Sequence, residues 1–132
     1  EGETLFTGCR NGATMLWDIS SGDCIRSFGA VVGHECTNCA DLTRDDEFVI
    51  GFGPSGCLGM AVLWEACTGK RCRRFQHSCG LLPFVDLSSD SQFALTGGND
   101  GSVRIWSTIS GGCVGILPSS AYYGVTAATF AS

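Results

Sequence analysis

The stretch ALTGGNDGSVRIW, residues 94–106, superimposes without a gap on LFTGCRNGATMLW, residues 5–17, and this internal match decides how the rest of the chain is read. Thr7 and Thr96 stand ten residues before Trp17 and Trp106, while Asn11 and Asp100 stand six before. A middle copy ends in MAVLW (60–64), so tryptophans recur at 17, 64 and 106, separated by 47 and 42 residues. After each Trp comes a small residue and a glycine, Ser21-Gly22, Thr68-Gly69 and Ser110-Gly111, and then a cysteine at 24, 72 or 113 opening another apolar run. The middle copy departs upstream, where FVIGFG (48–53) leads into PSGCLGM and Gly51 lies 13 residues before Trp64, an insertion of three.

Working outward, CTNCADLT (36–43), LLPFVDLS (81–88) and VTAATFAS (125–132) align as one more strand, the first two ending in the acidic turns RDDE (44–47) and SDSQ (89–92). Short β-like runs bounded by Gly and Asp turns at a period of 40-odd residues predict four-stranded antiparallel units. With strands named a to d in chain order, residues 1–33 hold b, c and d. Residues 34–77 and 78–117 hold complete units, and 118–132 hold a lone a. The expected fold is all-β, with three blades' worth of strands.

This pattern resembles the WD-repeat β-propeller family over essentially the whole chain. Trp17-Asp18 is the name-giving dipeptide, and Trp64-Glu65 and Trp106-Ser107 depart from it. The resemblance implies a hydrogen-bonded structural tetrad, which the third copy supplies as His77, Thr96, Asp100 and Trp106. Partial sets are Thr7, Asn11 and Trp17 in the first copy, and His34 with Trp64 in the second, where Gly51 stands in the hydroxyl position. Physically, a buried indole must donate its N–H, a Thr hydroxyl can accept it and pass a bond on, and a His between the Thr and the Asp satisfies the remainder. A hydroxyl, His77 and Asp100 also suggest a nucleophilic triad, but the Trp would cover the hydroxyl.

The resemblance further implies that b–c and d–a loops share one face. That face gathers Arg10, Ser55 and Leu58, Asn99, and the Tyr122-Tyr123 pair as candidate partner contacts. Tyrosine offers a large contact at small entropic cost. The competing reading is that one of these rings fills the place of the histidine absent from PSSAYYG (118–124). GFGPSG (51–56) lacks the Lys-Ser/Thr ending and following helix of a phosphate loop, so it reads as a b–c loop.

Composition narrows the function. With 44% hydrophobic residues, 16% charged, 19 Gly and 3 Pro, the 132-residue chain has the balance of packed strands joined by tight turns. A net charge of −5 argues against a role in neutralising nucleic-acid phosphates. Half of the 8 basic residues nevertheless fall in Lys70, Arg71, Arg73 and Arg74. That run reads as a solvated strand edge whose like charges oppose sheet-to-sheet aggregation, or as a contact for an acidic partner. No run approaches the roughly 20 apolar residues of a membrane span, and no secretory signal is evident. Nine cysteines, an odd number, then point to reduced, buried thiols and a cytoplasmic setting. His34-Glu35-Cys36-Thr37-Asn38-Cys39 contains a CxxC spacing. No second ligand pair appears, and residues 36 and 39 on one strand would face opposite ways, so neither a metal nor a cofactor is expected.

The reading that follows is a non-catalytic scaffold binding proteins or peptides. Its alternative is a structural propeller segment of a larger multidomain sensor or assembly factor. No paired carboxylates, activated nucleophile or cofactor fingerprint supports an enzyme. Propellers close with about 4–8 blades, so three blades call for completion. Two chains could form a six-bladed homodimer by exchanging Val125–Ala131. The rival reading, kept beside it because an initiating Met is lacking, is a segment of a longer propeller. Alkylation followed by mass spectrometry should find all nine cysteines of this chain reduced, and elemental analysis should find no stoichiometric zinc.

Overall fold

A computed structural model describes residues 3–8, 14–28, 40–42, 47–52, 59–77, 82, 84–118 and 124–131. They form three antiparallel sheets. The first is β1 (Thr4–Gly8), β2 (Thr14–Asp18) and β3 (Cys24–Phe28), paired in that order. The second is β4 (Ala40–Leu42), β5 (Phe48–Phe52), β6 (Met60–Glu65) and β7 (Arg71–Gln76), again in chain order. The third is β8 (Phe84–Leu87), β9 (Phe93–Gly97), β10 (Ser102–Ser107) and β11 (Cys113–Pro118), likewise paired consecutively.

The last two strands of every sheet are joined the same way. Gly22, Gly69 and Gly111 adopt φ of 75°, 73° and 77°, the left-handed region that an L side chain resists. Their N–H groups donate to Asp18, Glu65 and Ser107 carbonyls at 2.9, 2.8 and 2.8 Å. Each turn is followed by a β-bulge beside the tryptophan, at Leu16/Trp17, Leu63/Trp64 and Ile105/Trp106. The bulge corrects one sequence expectation. Cys24 and Cys113 pair with their tryptophans, but Trp64 pairs with Arg71, so Cys72 is the extra bulge residue instead of a third copy of that cysteine. It packs inward between the second and third sheets, while Cys24 and Cys113 are exposed.

Each interior sheet is apolar on both faces, which follows from the period-two alternation of strands. On β6, Val62 and Trp64 face the first sheet and meet Leu16 and Phe28. Ala61 and Leu63 face the third and meet Phe75, Val85, Ala94 and Trp106. The tryptophan of one sheet therefore rests on a phenylalanine of the sheet before it: Phe28 to Trp64 at 6.1 Å, and Phe75 to Trp106 at 5.7 Å between ring centroids. Rims are tied too. Arg26 reaches the second sheet's turn, donating to the Thr68 and Cys67 carbonyls at 3.1 and 2.7 Å. Arg73 does the same to the Ile109 carbonyl of the third sheet, with Nε at 3.0 Å. Leu87 N–H crosses between sheets to Asp41 Oδ2 at 2.9 Å.

The segment expected as a final strand behaves differently. Residues 124–131 belong to no sheet, because a strand requires a neighbouring ladder and no first-sheet strand lies beside them. Val125, Ala128 and Phe130 instead cover Phe84, Leu95 and Val103 on the third sheet's far face. Phe130 N–H donates to Asp86 Oδ2 at 2.7 Å, nearly repeating the Leu87 to Asp41 link.

One glycine is dictated by packing. Phe84 pairs with Gly97, and its ring lies so close to that residue that a Cβ at 97 would fall 2.0 Å from two ring carbons. Gly97→Ala should cost about 2–3 kcal/mol, the upper range for overpacking. A lowered denaturant midpoint with unchanged slope is the expected measurement.

Candidate functional site

Among the described residues, the third sheet holds the most complete polar network. Thr96 lies on β9 opposite Arg104, two residues before Trp106 on β10, so Thr96 Oγ1 accepts the indole N–H at 2.9 Å. Thr96 is fully buried and Trp106 nearly so. His77 follows β7 directly and is 1% exposed, far below what is usual for a group able to carry charge. Its Nδ1 lies 3.8 Å from Asp100 Oδ2, and its Nε2 lies 3.3 Å from Ser102 Oγ. Ser102 completes the arrangement, donating its hydroxyl to Asp100 Oδ1 at 2.7 Å and its N–H to the same oxygen at 2.9 Å. The network thus ties the connection after β7 to the β9–β10 turn.

Its chemistry is that of a brace. Ser102, His77 and Asp100 are the residue types of a nucleophilic triad, but the serine proton is committed to the aspartate instead of the histidine. Burial pushes the His77 ring below its ordinary pKa. Asp100 pulls it upward, and Arg104 adds to the lowering. A histidine enclosed in this way is held in its neutral form by burial and contributes hydrogen bonds to the network.

The other sheets show how far the pattern extends. Trp17 Nε1 donates to Thr7 Oγ1 at 2.7 Å, the first sheet's counterpart of the Trp106 bond. In the second sheet Gly51 pairs with Val62, two residues before Trp64, which places a glycine where Thr7 and Thr96 stand. Asn11 and His34 lie outside the described residues. Of the proposed partner contacts, Asn99 is exposed, and the 124 position abuts it, since a Cβ on Gly124 would sit 3.2 Å from Asn99 Cα. Arg10, Ser55, Leu58, Tyr122 and Tyr123 lie outside the described residues. Among the basic residues, Arg71, Arg73 and Arg74 lie exposed on the sheet-edge strand β7, with Lys70 just before it. Arg73 is turned to the neighbouring sheet, so this run is more than a solvated edge. Cys24, Cys67, Cys72 and Cys113 are free thiols, and among the described residues no three His, Cys, Asp or Glu side chains gather as a metal site.

Sequence reasoning passed over Ser102 and the two rim arginines. The signals were present: Ser102 follows Asp100 by two, and Arg26 and Arg73 each follow their tryptophan by nine, with a phenylalanine two residues on.

Residues 69–107 match the family described as WD domain, G-beta repeat. They run from the second sheet's tight turn through the Trp106 network. The chain belongs to the WD-repeat family. Among its relatives, Periodic tryptophan protein 2 homolog of Mus musculus is 35% identical over 109 residues, covering 83% of this chain and 11% of that protein. DENN domain and WD repeat-containing protein SCD1 of Arabidopsis thaliana is 25% identical over 116 residues, 88% of this chain and 9% of its own length. Serine-threonine kinase receptor-associated protein of Homo sapiens is 27% identical over 113 residues, 80% and 28% respectively. This WD-repeat chain therefore spans under a third of each of these relatives.

Losing one member of the network leaves buried polar partners unpaired, so Asp100→Ala should destabilise by about 1–3 kcal/mol. The pH dependence has a definite sign. The unfolded chain protonates its histidines near pH 6.5, whereas native His77 resists until lower pH. Stability contributed by neutral His77 is thus complete above about pH 6.5 and is lost as pH falls below it. Melting curves should show this loss, steeper in Asp100→Ala, where the upward pull on His77 is gone.

Proposed function

We propose that this chain is a run of WD-type propeller blades acting as a non-catalytic scaffold that holds proteins or peptides on its loop-bearing face. The observation that carries the reading is the convergence of connections at one edge. His77 after β7 and Asp100 in the β9–β10 turn are tied through Ser102, Asn99 beside them is exposed, and Gly124 rests against Asn99. Loops braced this way present side chains without paying ordering entropy on binding. The relatives support a place in larger assemblies, one of them being named as receptor-associated. The serine proton committed to Asp100 favours structure over catalysis.

Completion of the ring has two sources. In one, this chain is a segment of a larger propeller within a multidomain sensor or assembly factor. In the other, two copies exchange residues 125–131 and close a six-bladed homodimer. Both draw on the same observation, that 124–131 covers the third sheet's outer face and bonds Asp86 much as Leu87 bonds Asp41.

The contact face is assigned to Arg10, Ser55, Leu58, Asn99, Tyr122 and Tyr123. Replacing Tyr122 and Tyr123 together by Ser should abolish capture of a partner recovered with the wild-type chain while leaving the melting temperature near its original value. Undiminished capture by that double variant would move the contact elsewhere, with Lys70, Arg71 and Arg74 next.

A further inference from the structure

The two joints between sheets are built from the same pair of residues. On β3, Arg26 and Phe28 point to the second sheet; on β7, Arg73 and Phe75 point to the third. Each arginine stands opposite the residue before its tryptophan, Leu16 or Leu63, and each phenylalanine lies two residues further along the outer strand. The arginine stem crosses the next turn's glycine: a Cβ on Gly69 would lie 3.4 Å from Arg26 Cδ, and one on Gly111 would lie 3.3 Å from Arg73 Cδ. Its guanidinium then finds that turn's carbonyls. A long side chain so held contributes packing as well as hydrogen bonds.

The first sheet carries the receiving half of this joint, and among the described residues nothing fills it. Its Asp18–Asp23 turn has the same left-handed glycine and the same closing bonds, Gly22 N–H to Asp18 and Asp18 N–H to Asp23, both at 2.9 Å. A Cβ on Gly22 would meet no atom within 4 Å. The apolar face beside it is bare. Leu5, which pairs with Trp17, is 51% exposed, whereas the residues paired with Trp64 and Trp106, Val49 and Ala94, are fully covered. Ile19 is 52% exposed where its counterpart Ala66 is buried. The acidic Asp23 closes this turn, while the Asp18 carboxylate is held within it, accepting from Ser20 N–H, Ser20 Oγ and Ser21 N–H.

The third sheet lacks the donor half. Ile105 pairs with Gly115, so a glycine stands at the arginine position, and Leu117, half exposed, stands at the phenylalanine position. The three outer strands read CIRSF, CRRF and CVGIL.

We propose that the Asp18–Asp23 turn, with Leu5 and Trp17 beside it, is a socket for the outer strand of another WD-type blade bearing an Arg-x-Phe pair. A second copy of this chain, offering Gly115 and Leu117, is not the natural occupant. This rests on the propeller-segment reading and decides between its two sources of further blades. The carbonyls of Ser20 and Ser21 receive the guanidinium, as those of Cys67, Thr68 and Ile109 do inside the chain.

The test converts a second copy into an acceptable occupant. Gly115→Arg with Leu117→Phe restores the donor pair, and a Cβ added at 115 meets Ile105 at ordinary contact distance, 3.6 Å. Sedimentation velocity on the full chain should show self-association at least about tenfold tighter than wild type. Adding Gly22→Asn, which keeps the left-handed turn but fills the arginine's path, should return it to the wild-type level. A folded double variant no more associated than wild type, or association indifferent to Gly22→Asn, overturns the proposal. So does a wild-type dimer that Gly22→Asn dissociates. Should the double variant misfold, Gly115→Arg alone is read by the same criteria. Failure of the scaffold reading would appear separately, as partner capture unaffected by the tyrosine replacements.

Discussion

A strand buried on both faces must find apolar partners on both, and in this chain the partner on one side is always the outer strand of the preceding sheet. The Trp64 ring on Phe28 and the Trp106 ring on Phe75 are the centres of these contacts. Around them lie Val49, Ile50, Ala61, Val62, Leu63 and Ala94, all essentially inaccessible to water. At roughly 25 cal/mol per Å² of apolar surface removed from water, such faces supply most of what holds sheets of three to six residues per strand together. Neither sheet could bury its own two faces. Stability in such a repeat resides in the joints as much as in the blades.

The polar features follow from that stacking. Once the tryptophan is pressed between sheets, its N–H is cut off from water and must be met from within the same sheet. Thr96 meets it for Trp106, and Thr7 does the same for the half-buried Trp17, each standing opposite the residue two before the indole. His77, Asp100 and Ser102 then satisfy one another at the rim. The middle sheet shows the arrangement is not required everywhere: Gly51 stands at the hydroxyl position, yet Trp64 is as buried as Trp106. Apolar packing carries the repeat; the hydrogen-bonded set ties His77, just after β7, to the β9–β10 turn.

Loops fixed by a network behave as a rigid display. The side of the chain with Asn99 and Gly124 inherits its order from buried groups, which is what a docking surface needs if it is to bind without folding first. The opposite rim, with its glycine turns and crossing arginines, serves cohesion.

Much of this was legible in the sequence alone. The spacing of Trp17, Trp64 and Trp106, with turn glycines at 22, 69 and 111, determined an all-β repeat and located its strands, because side-chain alternation and left-handed turns are local requirements. Thr96 and Trp106 could be paired from their ten-residue separation, since a hairpin sets its own register. Only the tertiary structure decided what depends on neighbours far away in the chain. Cys72 became a bulge residue packed between sheets; Arg26 and Arg73 became ties across a joint instead of solvated charges. Ser102 turned out to hold both His77 and Asp100. Residues 124–131, strand-like in composition, entered no sheet because no ladder was offered beside them. A side chain's own sequence specifies its local geometry, but whether it meets water, a carbonyl or another ring is set by which surface the fold brings against it.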